Sequence, residues 1–224
     1  MDIENSGNKK FNIAVLEGIQ IMCRVFWGPD LDSCRHMIEG NFLQSFEMIP
    51  GKSEEGKSEK KSSFILDKIN LIINGFQSYH SFFEHLNECY VRLFVNNKEG
   101  ITAPLYQSCY EFENAPMMGE SAIKMKNRFL SKGLSMENLI HEPPDHLAIE
   151  LEYLFFLLQE TSLDLDDDPD KFISNEAAAF AKETMLPWVM VFNQRLKFAN
   201  EDCAFYFLSS GILVLLLKLI AGRE

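Results

Sequence analysis

The sequence predicts an all-α protein of about nine to eleven helices in a single domain spanning residues 1–224. In most segments apolar residues recur at three- and four-residue steps, which is the spacing of a buried helix face. No segment shows the sustained alternation of apolar and polar residues, bounded by hairpin turns, that strands require. The 224 residues, 46% of them hydrophobic, can bury one sizeable core, as one domain or as two closely packed lobes.

The first predicted helices are separated by short breaks. Residues 11–27 form the first helix, which a Gly-Pro pair ends. Asp30 can cap the second helix, whose apolar spacing continues to about Ile49 before a Pro-Gly pair stops it. Residues 51–63 are almost wholly polar and low in complexity, so we expect a mobile surface loop there.

Helical patterning resumes at 64–73 and, after an Asn-Gly pair, at 76–95, a segment rich in aromatic residues. Residues 96–118 carry no periodic pattern and contain two prolines. We expect a long ordered loop there, and such loops in compact domains are often functional.

The C-terminal half contains the remaining predicted helices. An acidic connector at 164–170 separates two of them, and Leu186-Pro187-Trp188 is predicted to break another. The predicted helices cover 120–130, 144–160, 171–185, 189–198 and 201–221. Residues 203–217 are almost wholly apolar, but the run is too short and too interrupted for a typical membrane span, so we expect a core helix without stable membrane insertion.

The charge balance constrains the partner. The chain has 33 Asp and Glu residues against 21 Lys and Arg residues, a net charge of −12. This argues against nucleic acid, which needs clustered positive charge. The excess of acid is compatible with a basic partner such as an arginine-bearing peptide, although acidity also serves solubility alone.

The cysteines and the N-terminus predict a cytoplasmic location. The five cysteines are odd in number, no two have C-x-x-C spacing, and each lies among apolar residues. This pattern is typical of reduced, buried thiols without a disulfide framework or a zinc knuckle. The N-terminal segment lacks the apolar core of a secretory signal.

The stretch from His141 to Glu152 combines two prolines with a dense set of ionisable groups. A proline pair is tolerated only at a helix start, so we expect the helix to begin around Pro144 or Asp145. Leucines at helical spacing then form one buried stripe: Leu147, Leu151, Leu154 and Leu158. We expect this helix to present Asp145 and His146 beside an open cleft.

Three other interpretations of these motifs stay open at lower weight. His146 and its acidic neighbours could bind a metal, but the two histidines are five residues apart, not four as H-E-x-x-H requires. The acids could simply cap the helix and satisfy loop amides. Residues 51–58 also fit the P-loop pattern G-x-x-x-x-G-K-S, but a helical pattern precedes them and two glutamates would face the phosphates.

The sequence resembles the TorD/DmsD/NarJ family of cytoplasmic chaperones that assist maturation of molybdenum-containing redox enzymes. Residues 142–151 (EPPDHLAIEL) are similar to the family's E-P-x-D-H-x-x-x-E-L element. Residues 106–110 (YQSCY) resemble its Y-x-S-x-Y element, and Leu186-Pro187-Trp188 resembles its late P-W element, in matching order and spacing. The chain departs from the family at Thr184, where histidine is frequent, and at the polar insertion 51–63.

The resemblance implies an all-α, TorD-like protein without enzymatic activity that binds the twin-arginine leader or N-terminal segment of an apo-molybdoenzyme precursor. It implies peptide binding by Asp145 and His146, with Glu150 fixing His146 through an i, i+4 contact. Other residues would shape the same edge or line it from the long loop: Glu142, Pro143, Tyr106 and Ser108. Carboxylates suit this partner because they pair bidentately with guanidinium groups.

The same resemblance implies no resident cofactor, with weak guanine-nucleotide binding reported for some relatives, and either a monomer or a domain-swapped homodimer. Two alternative functions from other classes stay open. One is a metal-dependent hydrolase centred on His146, and the other is an acidic protein-interaction adaptor whose motif is only structural.

Overall fold

Helices make up all of the regular secondary structure described by the computed structural model, apart from one isolated β-bridge between Tyr106 and His146. The described residues are 2–40, 43–47, 57–96, 98, 100–134, 141–163, 173–198 and 201–222. Within these ranges there are ten α-helices, which confirms the predicted all-α class. They are α1 (Asp2–Trp27), α2 (Leu31–Glu39), α3 (Gln44–Glu47), α4 (Lys57–Asn74), α5 (Tyr79–Tyr90), α6 (Glu120–Ser131), α7 (Leu147–Leu163), α8 (Asn175–Ala179), α9 (Leu186–Lys197) and α10 (Ala204–Ala221).

The predicted start of the second helix is confirmed. Asp30 has an extended backbone, and its side chain accepts a hydrogen bond from the Ser33 amide at 2.8 Å, so Asp30 is the N-cap of α2. The predicted end is wrong, because α2 stops at Glu39 and the chain continues in the separate short helix α3. Gly40 ends α2, and its N–H bonds the His36 carbonyl.

The loop predicted at 51–63 is wrong for residues 57–63, since α4 begins at Lys57. Lysine and glutamate are good helix formers, and the apolar pattern that follows lets the same helix extend backward through them. The polar composition at 57–63 is therefore that of a helical segment. Residues 51–56, and the acidic connector predicted at 164–170, lie outside the described residues.

Two helices contain a π-helical stretch. Val91–Val95 continues α5, and Phe180–Met185 joins α8 to α9. The Leu186 amide bonds the carbonyl of Ala181, five residues earlier, as the wider π turn requires. The break predicted at Leu186-Pro187-Trp188 is wrong because Pro187 lies in the first turn of α9, where its missing N–H costs little.

The described residues between Val95 and Glu120 are irregular, as predicted, except for one 3-10 turn at Gln107–Tyr110. The β-bridge in this segment pairs Tyr106 with His146, at the start of α7. The long segment therefore runs across the N-terminal end of the motif helix.

The core is built around α7 and α10. Helix α1 packs along α7, while α10 lies against α1, α4 and α9. By length and hydropathy α10 could cross a membrane, but 56% of it is buried inside the protein, as expected for a core helix. Three buried aromatic rings meet near the centre, where the Phe26 and Phe192 centroids are 5.6 Å apart and those of Phe94 and Phe192 are 5.9 Å apart.

Truncating one of these rings should destabilise the fold strongly. Phe192→Ala removes a fully buried ring and leaves a cavity, so we expect the free energy of unfolding to fall by about 3–5 kcal/mol. Phe198→Ala is the matched control, because Phe198 follows α9 and is 86% exposed. Its replacement should change stability by less than about 0.5 kcal/mol. Equal losses in urea denaturation of the two variants would contradict this assignment of the core.

Candidate functional site

The residues before α7 form a tight turn. Pro143 and Pro144 keep this stretch out of the helix, and the His146 amide bonds the Pro143 carbonyl at 3.0 Å. Regular α-helix starts at Leu147, three residues later than Pro144, the earlier of the two predicted starts. Asp145 and His146 therefore lie in the turn that enters the helix, and not on its first exposed turn.

The long irregular segment is hydrogen-bonded to this turn. The Gln107 amide bonds the Asp145 carbonyl at 3.0 Å, and the Leu147 amide bonds the Leu105 carbonyl at 2.7 Å. These two backbone bonds make the bridge that places Tyr106 opposite His146. The structure thus brings together the two motifs that the sequence places about forty residues apart.

The Asp145 carboxylate joins three elements. It is fully buried, and its Oδ2 atom accepts from the Ser108 amide at 2.8 Å and from the Ser121 hydroxyl at 3.3 Å. Ser108 belongs to the 3-10 turn and Ser121 to α6, so one side chain ties both to the start of α7. Within the described residues, Asp145 Oδ1 and the Ser108 hydroxyl have no hydrogen-bond partner.

Glu111 continues this network at the N-terminus of α6. Its Oε1 atom accepts from the amide and the hydroxyl of Ser121, both at 2.7 Å. These bonds supply acceptors to the first turn of the helix, which has no side-chain cap of its own. The long segment is thereby held at α6 as well as at α7.

His146 lies between two aromatic rings. Its imidazole stacks on Trp27 with centroids 5.1 Å apart and planes 18° apart, and it meets the edge of Tyr106 at 5.2 Å and 70°. The Ala148 amide donates to Nδ1 at 3.2 Å, which requires an unprotonated Nδ1. Burial lowers the pKa of His146 to about 4, and the carboxylates of Glu142 and Asp145 offset this only in part.

The expectation of an acid and an imidazole beside an open cleft is therefore wrong. Asp145 is fully buried and His146 is 3% exposed. The residues that reach solvent are the flanking ones. Trp27, Tyr106, Glu142 and Pro143 are half-buried, and Glu152 is exposed.

Two carboxylates border the aromatic rings at this surface. The Trp27 indole N–H donates to Glu152 at 2.8 Å, and the Tyr106 hydroxyl donates to Glu142 at 2.6 Å. Neither carboxylate forms an ion pair with any described residue. We call Trp27, Tyr106, Glu142 and Glu152 the aromatic-acid edge. Carboxylates beside aromatic faces are the groups that bind a guanidinium cation.

Trp27 and Glu152 were not among the predicted site residues. Trp27 ends α1 and is held there because the Tyr90 hydroxyl donates to the carbonyls of Phe26 and Trp27, at 3.3 Å each. Gly28 then turns the chain with φ of +111°, a conformation that favours glycine. The Gly-Pro pair after a tryptophan indicates a helix end, but no sequence pattern reveals that this end packs against α7.

Glu150 does not have the predicted role of fixing His146. Its buried carboxyl accepts from the Trp188 indole at 3.0 Å, so the residue links α7 to α9. Burial raises the pKa of Glu150 well above its ordinary value; the Trp188 hydrogen bond opposes the shift, and the nearby Asp145 adds to it. The Thr184 hydroxyl, at the position where the chain departs from the family pattern, accepts from Arg128 at 3.2 Å.

The geometry does not support a metal site at His146. The described residues contain no group of three or more His, Cys, Asp or Glu side chains arranged to hold a metal ion. The Nδ1 atom of His146 already accepts a backbone N–H, and aromatic rings flank the imidazole.

The chain matches one family model and is similar to several known proteins. Residues 74–194, more than half of the chain, match the family model described as nitrate reductase delta subunit. The chain is 28% identical over 130 residues to chaperone protein TorD of Photobacterium profundum, covering 58% of this chain and 59% of that protein. It is 25% identical over 156 residues to TorD of Aliivibrio fischeri, covering 68% and 72%.

A third relative, TorD of Vibrio vulnificus, is 34% identical over 113 residues, covering 49% of this chain and 50% of the relative. The chain thus spans between about half and three quarters of these relatives. Among solved structures, a protein described as a redox enzyme maturation protein from Archaeoglobus fulgidus aligns over 87% of this chain and 90% of its own, with a TM-score of 0.49 and 19% identity.

The buried imidazole predicts a loss of stability in mild acid. Between pH 6.5 and pH 4 the unfolded chain binds a proton at residue 146 that the folded chain excludes, so stability falls as the pH falls through this window. The full effect is about 3 kcal/mol. His146→Phe keeps an aromatic ring and cannot titrate, so its unfolding free energy should depend less on pH in this window. His80→Phe, at an exposed position, should keep the wild-type slope, and parallel profiles for wild type and His146→Phe would contradict the assignment.

The raised pKa of Glu150 should make stability depend on pH in the opposite direction. Its folded pKa is raised, so above the ordinary value of 4.5 the folded chain retains a proton that the unfolded chain releases, and stability falls as the pH rises. Glu150→Gln keeps an acceptor for Trp188 without an ionisable group. We expect this variant to gain stability relative to wild type as the pH rises above 4.5, in chemical denaturation series. Glu88→Gln, on the exposed face of α5, is the control and should show no such gain. If Glu150→Gln is less stable than wild type at every pH, the Glu150 carboxyl is not neutral in the folded protein.

Proposed function

This chain belongs to the nitrate reductase delta subunit family, and from that premise we propose that it is a maturation chaperone for a molybdenum-cofactor redox enzyme. It binds the leader peptide or N-terminal segment of the apo-enzyme precursor in the cytoplasm and holds it until the enzyme is ready for export or assembly. Three relatives that bear the name chaperone protein TorD support this function.

The observation that carries the proposal is the aromatic-acid edge. Glu142 and Glu152 each accept a hydrogen bond from an aromatic side chain, and neither is neutralised by a described lysine or arginine. Burial, and then the bond to Glu142, raise the pKa of Tyr106, so its hydroxyl stays a donor at physiological pH. A guanidinium group can stack on such rings and pair with such carboxylates, and a twin-arginine segment supplies two of them.

The buried motif residues act by positioning this edge. Asp145 fixes the turn that carries Ser108, and His146 holds the Trp27 and Tyr106 rings on its two sides. Pro143 keeps the entering turn out of the helix, so that Glu142 stays at the surface. In this proposal the peptide contacts Tyr106 and Glu142 directly, while Asp145, His146 and Ser108 support them from beneath.

The proposed activity is binding, without catalysis and without a resident cofactor. The buried Ser108 hydroxyl has no hydrogen-bond partner in the described chain, so no neighbouring base activates it as a nucleophile. The adaptor alternative differs in one respect, because its partner would not need arginines. The peptide experiment therefore separates the two.

Titration with a synthetic twin-arginine leader tests the proposal. We expect replacement of both arginines by lysine to weaken binding at least about tenfold, because lysine cannot make the bidentate and stacked contacts. Glu142→Gln and Glu152→Gln should each weaken binding by about 5- to 30-fold. Glu84→Gln, at an exposed position on α5, is the matched control and should leave the affinity unchanged. Calorimetry measures all four.

The positioning role has a separate readout. Asp145→Asn should lower both the affinity for the peptide and the melting temperature. The reason is that the Asp145 carboxylate stabilises the site and the fold through the same hydrogen bonds. Glu142→Gln and Glu152→Gln should lower the affinity for the peptide without changing the melting temperature. If neither replacement of the two arginines nor substitution of the two surface glutamates changes the affinity, the proposed site is wrong and the adaptor function is favoured.

A further inference from the structure

Two cysteines meet around one arginine outside the aromatic-acid edge. Cys89 is in the last turn of α5, and Cys203 ends the 3-10 turn at Glu201–Cys203 that leads into α10. Arg92, in the π-helical stretch Val91–Val95, places Nη2 2.8 Å from the Cys203 sulfur and 3.7 Å from the Cys89 sulfur. Both thiols are 1% exposed, and the Arg92 side chain that bonds them is half-buried.

The surroundings make the two thiols unequal. The pKa of Cys203 is lowered by the hydrogen bond with Cys89 and by the Arg92 guanidinium, although burial acts in the opposite direction. The pKa of Cys89 is raised by the same bond and by burial. Among the described hydrogen bonds, none joins an arginine to the other three cysteines. Burial, followed by the charge of Asp30, raises the pKa of Cys34 to about 11. A thiolate beside a protonated thiol is the arrangement from which a disulfide forms.

A metal is a poorer fit to this cluster. His85 Nε2 lies 3.9 Å and the Asp202 carbonyl oxygen 3.6 Å from the Cys89 sulfur. The described residues nevertheless contain no group of three or more His, Cys, Asp or Glu side chains arranged to hold a metal ion. The guanidinium group between the sulfurs would repel a cation placed between them. It stabilises the anion of a reactive cysteine instead.

We propose that Cys89 and Cys203 form a redox-modification site, in which a peroxide oxidises the pair to a disulfide that ties the end of α5 to the start of α10. Hydrogen peroxide is a small oxidant, and the half-buried Arg92 side chain that bonds both sulfurs connects the pair to the protein surface. The proposal is independent of peptide binding, because no residue of the pair touches the aromatic-acid edge.

The reaction balances in two steps. The Cys203 thiolate attacks one peroxide oxygen, the S–O bond forms as the O–O bond breaks, and hydroxide leaves and takes up the proton that Cys203 had released. The Cys89 sulfur then attacks the sulfenic sulfur, forming the S–S bond, and the sulfenic oxygen leaves as water with the Cys89 proton. Two thiols and one peroxide thus give one disulfide and two waters, and the two sulfurs supply the two electrons.

Peptide mapping of the full chain gives a direct test. The reduced protein is treated with hydrogen peroxide at neutral pH, its remaining thiols are alkylated after denaturation, and it is digested with trypsin. Cys89 lies in the tryptic peptide 69–92 and Cys203 in 198–218, each the only cysteine of its peptide. We expect these two peptides to be recovered joined, with a mass lower by two hydrogens, and to separate on reduction. Recovery of both as separately alkylated peptides would overturn the proposal.

Variants test the part played by each group. Arg92→Met should slow oxidation about tenfold by raising the thiol pKa, whereas Arg92→Lys should restore part of the rate. In Arg92→Met the first peptide extends to Lys98. Cys89→Ser should leave Cys203 as a sulfenic acid that dimedone traps, and Cys203→Ser should leave Cys89 unoxidised over the same time. Cys34→Ser is the control and should keep the wild-type rate.

Circular dichroism of each reduced variant shows that it is folded before oxidation is compared. If Arg92→Met does not fold, Arg92→Lys and wild type still report on the joined peptides. Equal oxidation rates in folded Arg92→Met and wild type would overturn the role of the guanidinium, and sulfenic acid at Cys34 or Cys109 without joined peptides would overturn the assigned pair.

Discussion

The hydrogen bonds of the Asp145 carboxylate are the constraint on which the site depends. A buried carboxylate is costly unless donors surround it, and here the donors come from a backbone amide of the 3-10 turn and a hydroxyl of α6. If the irregular segment between α5 and α6 moved away from the start of α7, the buried Asp145 carboxylate would lose its hydrogen bond from the Ser108 amide. This is why a segment with little regular structure can present Tyr106 in a defined place.

Burial also changes how the E-P-x-D-H pattern is understood. From the sequence, Asp145 and His146 are expected to contact a partner. In the structure both are buried, and they support neighbouring residues that lie at the surface. Burial lowers the pKa of His146, so the imidazole is uncharged at neutral pH. It stacks on Trp27 and meets the edge of Tyr106, two rings from other elements. In the proposed function, the groups that contact a partner are the carboxylates of Glu142 and Glu152 and the rings that bond them.

Local patterns predicted the helices well and their interruptions poorly. The cap at Asp30, α6 and the core helix α10 follow from spacing and capping chemistry. The helical start of α4 was missed because lysine- and glutamate-rich composition is shared by loops and exposed helices. The bridge between Tyr106 and His146, the pairing of Glu150 with Trp188 and the place of Trp27 depend on tertiary packing, which a single sequence does not encode as a local pattern.

The π-helical stretch at Phe180–Met185 has a consequence for how this chain compares with its relatives. A π turn holds one residue more than an α turn, so it absorbs a single insertion without rotating the helix that follows. Deleting one residue there would convert the stretch to ordinary α-helix and leave Trp188 facing Glu150, whereas a deletion within α9 itself would turn the later side chains by about 100°. A change in length of one residue between 180 and 185 can therefore be absorbed without rotating the helix that follows.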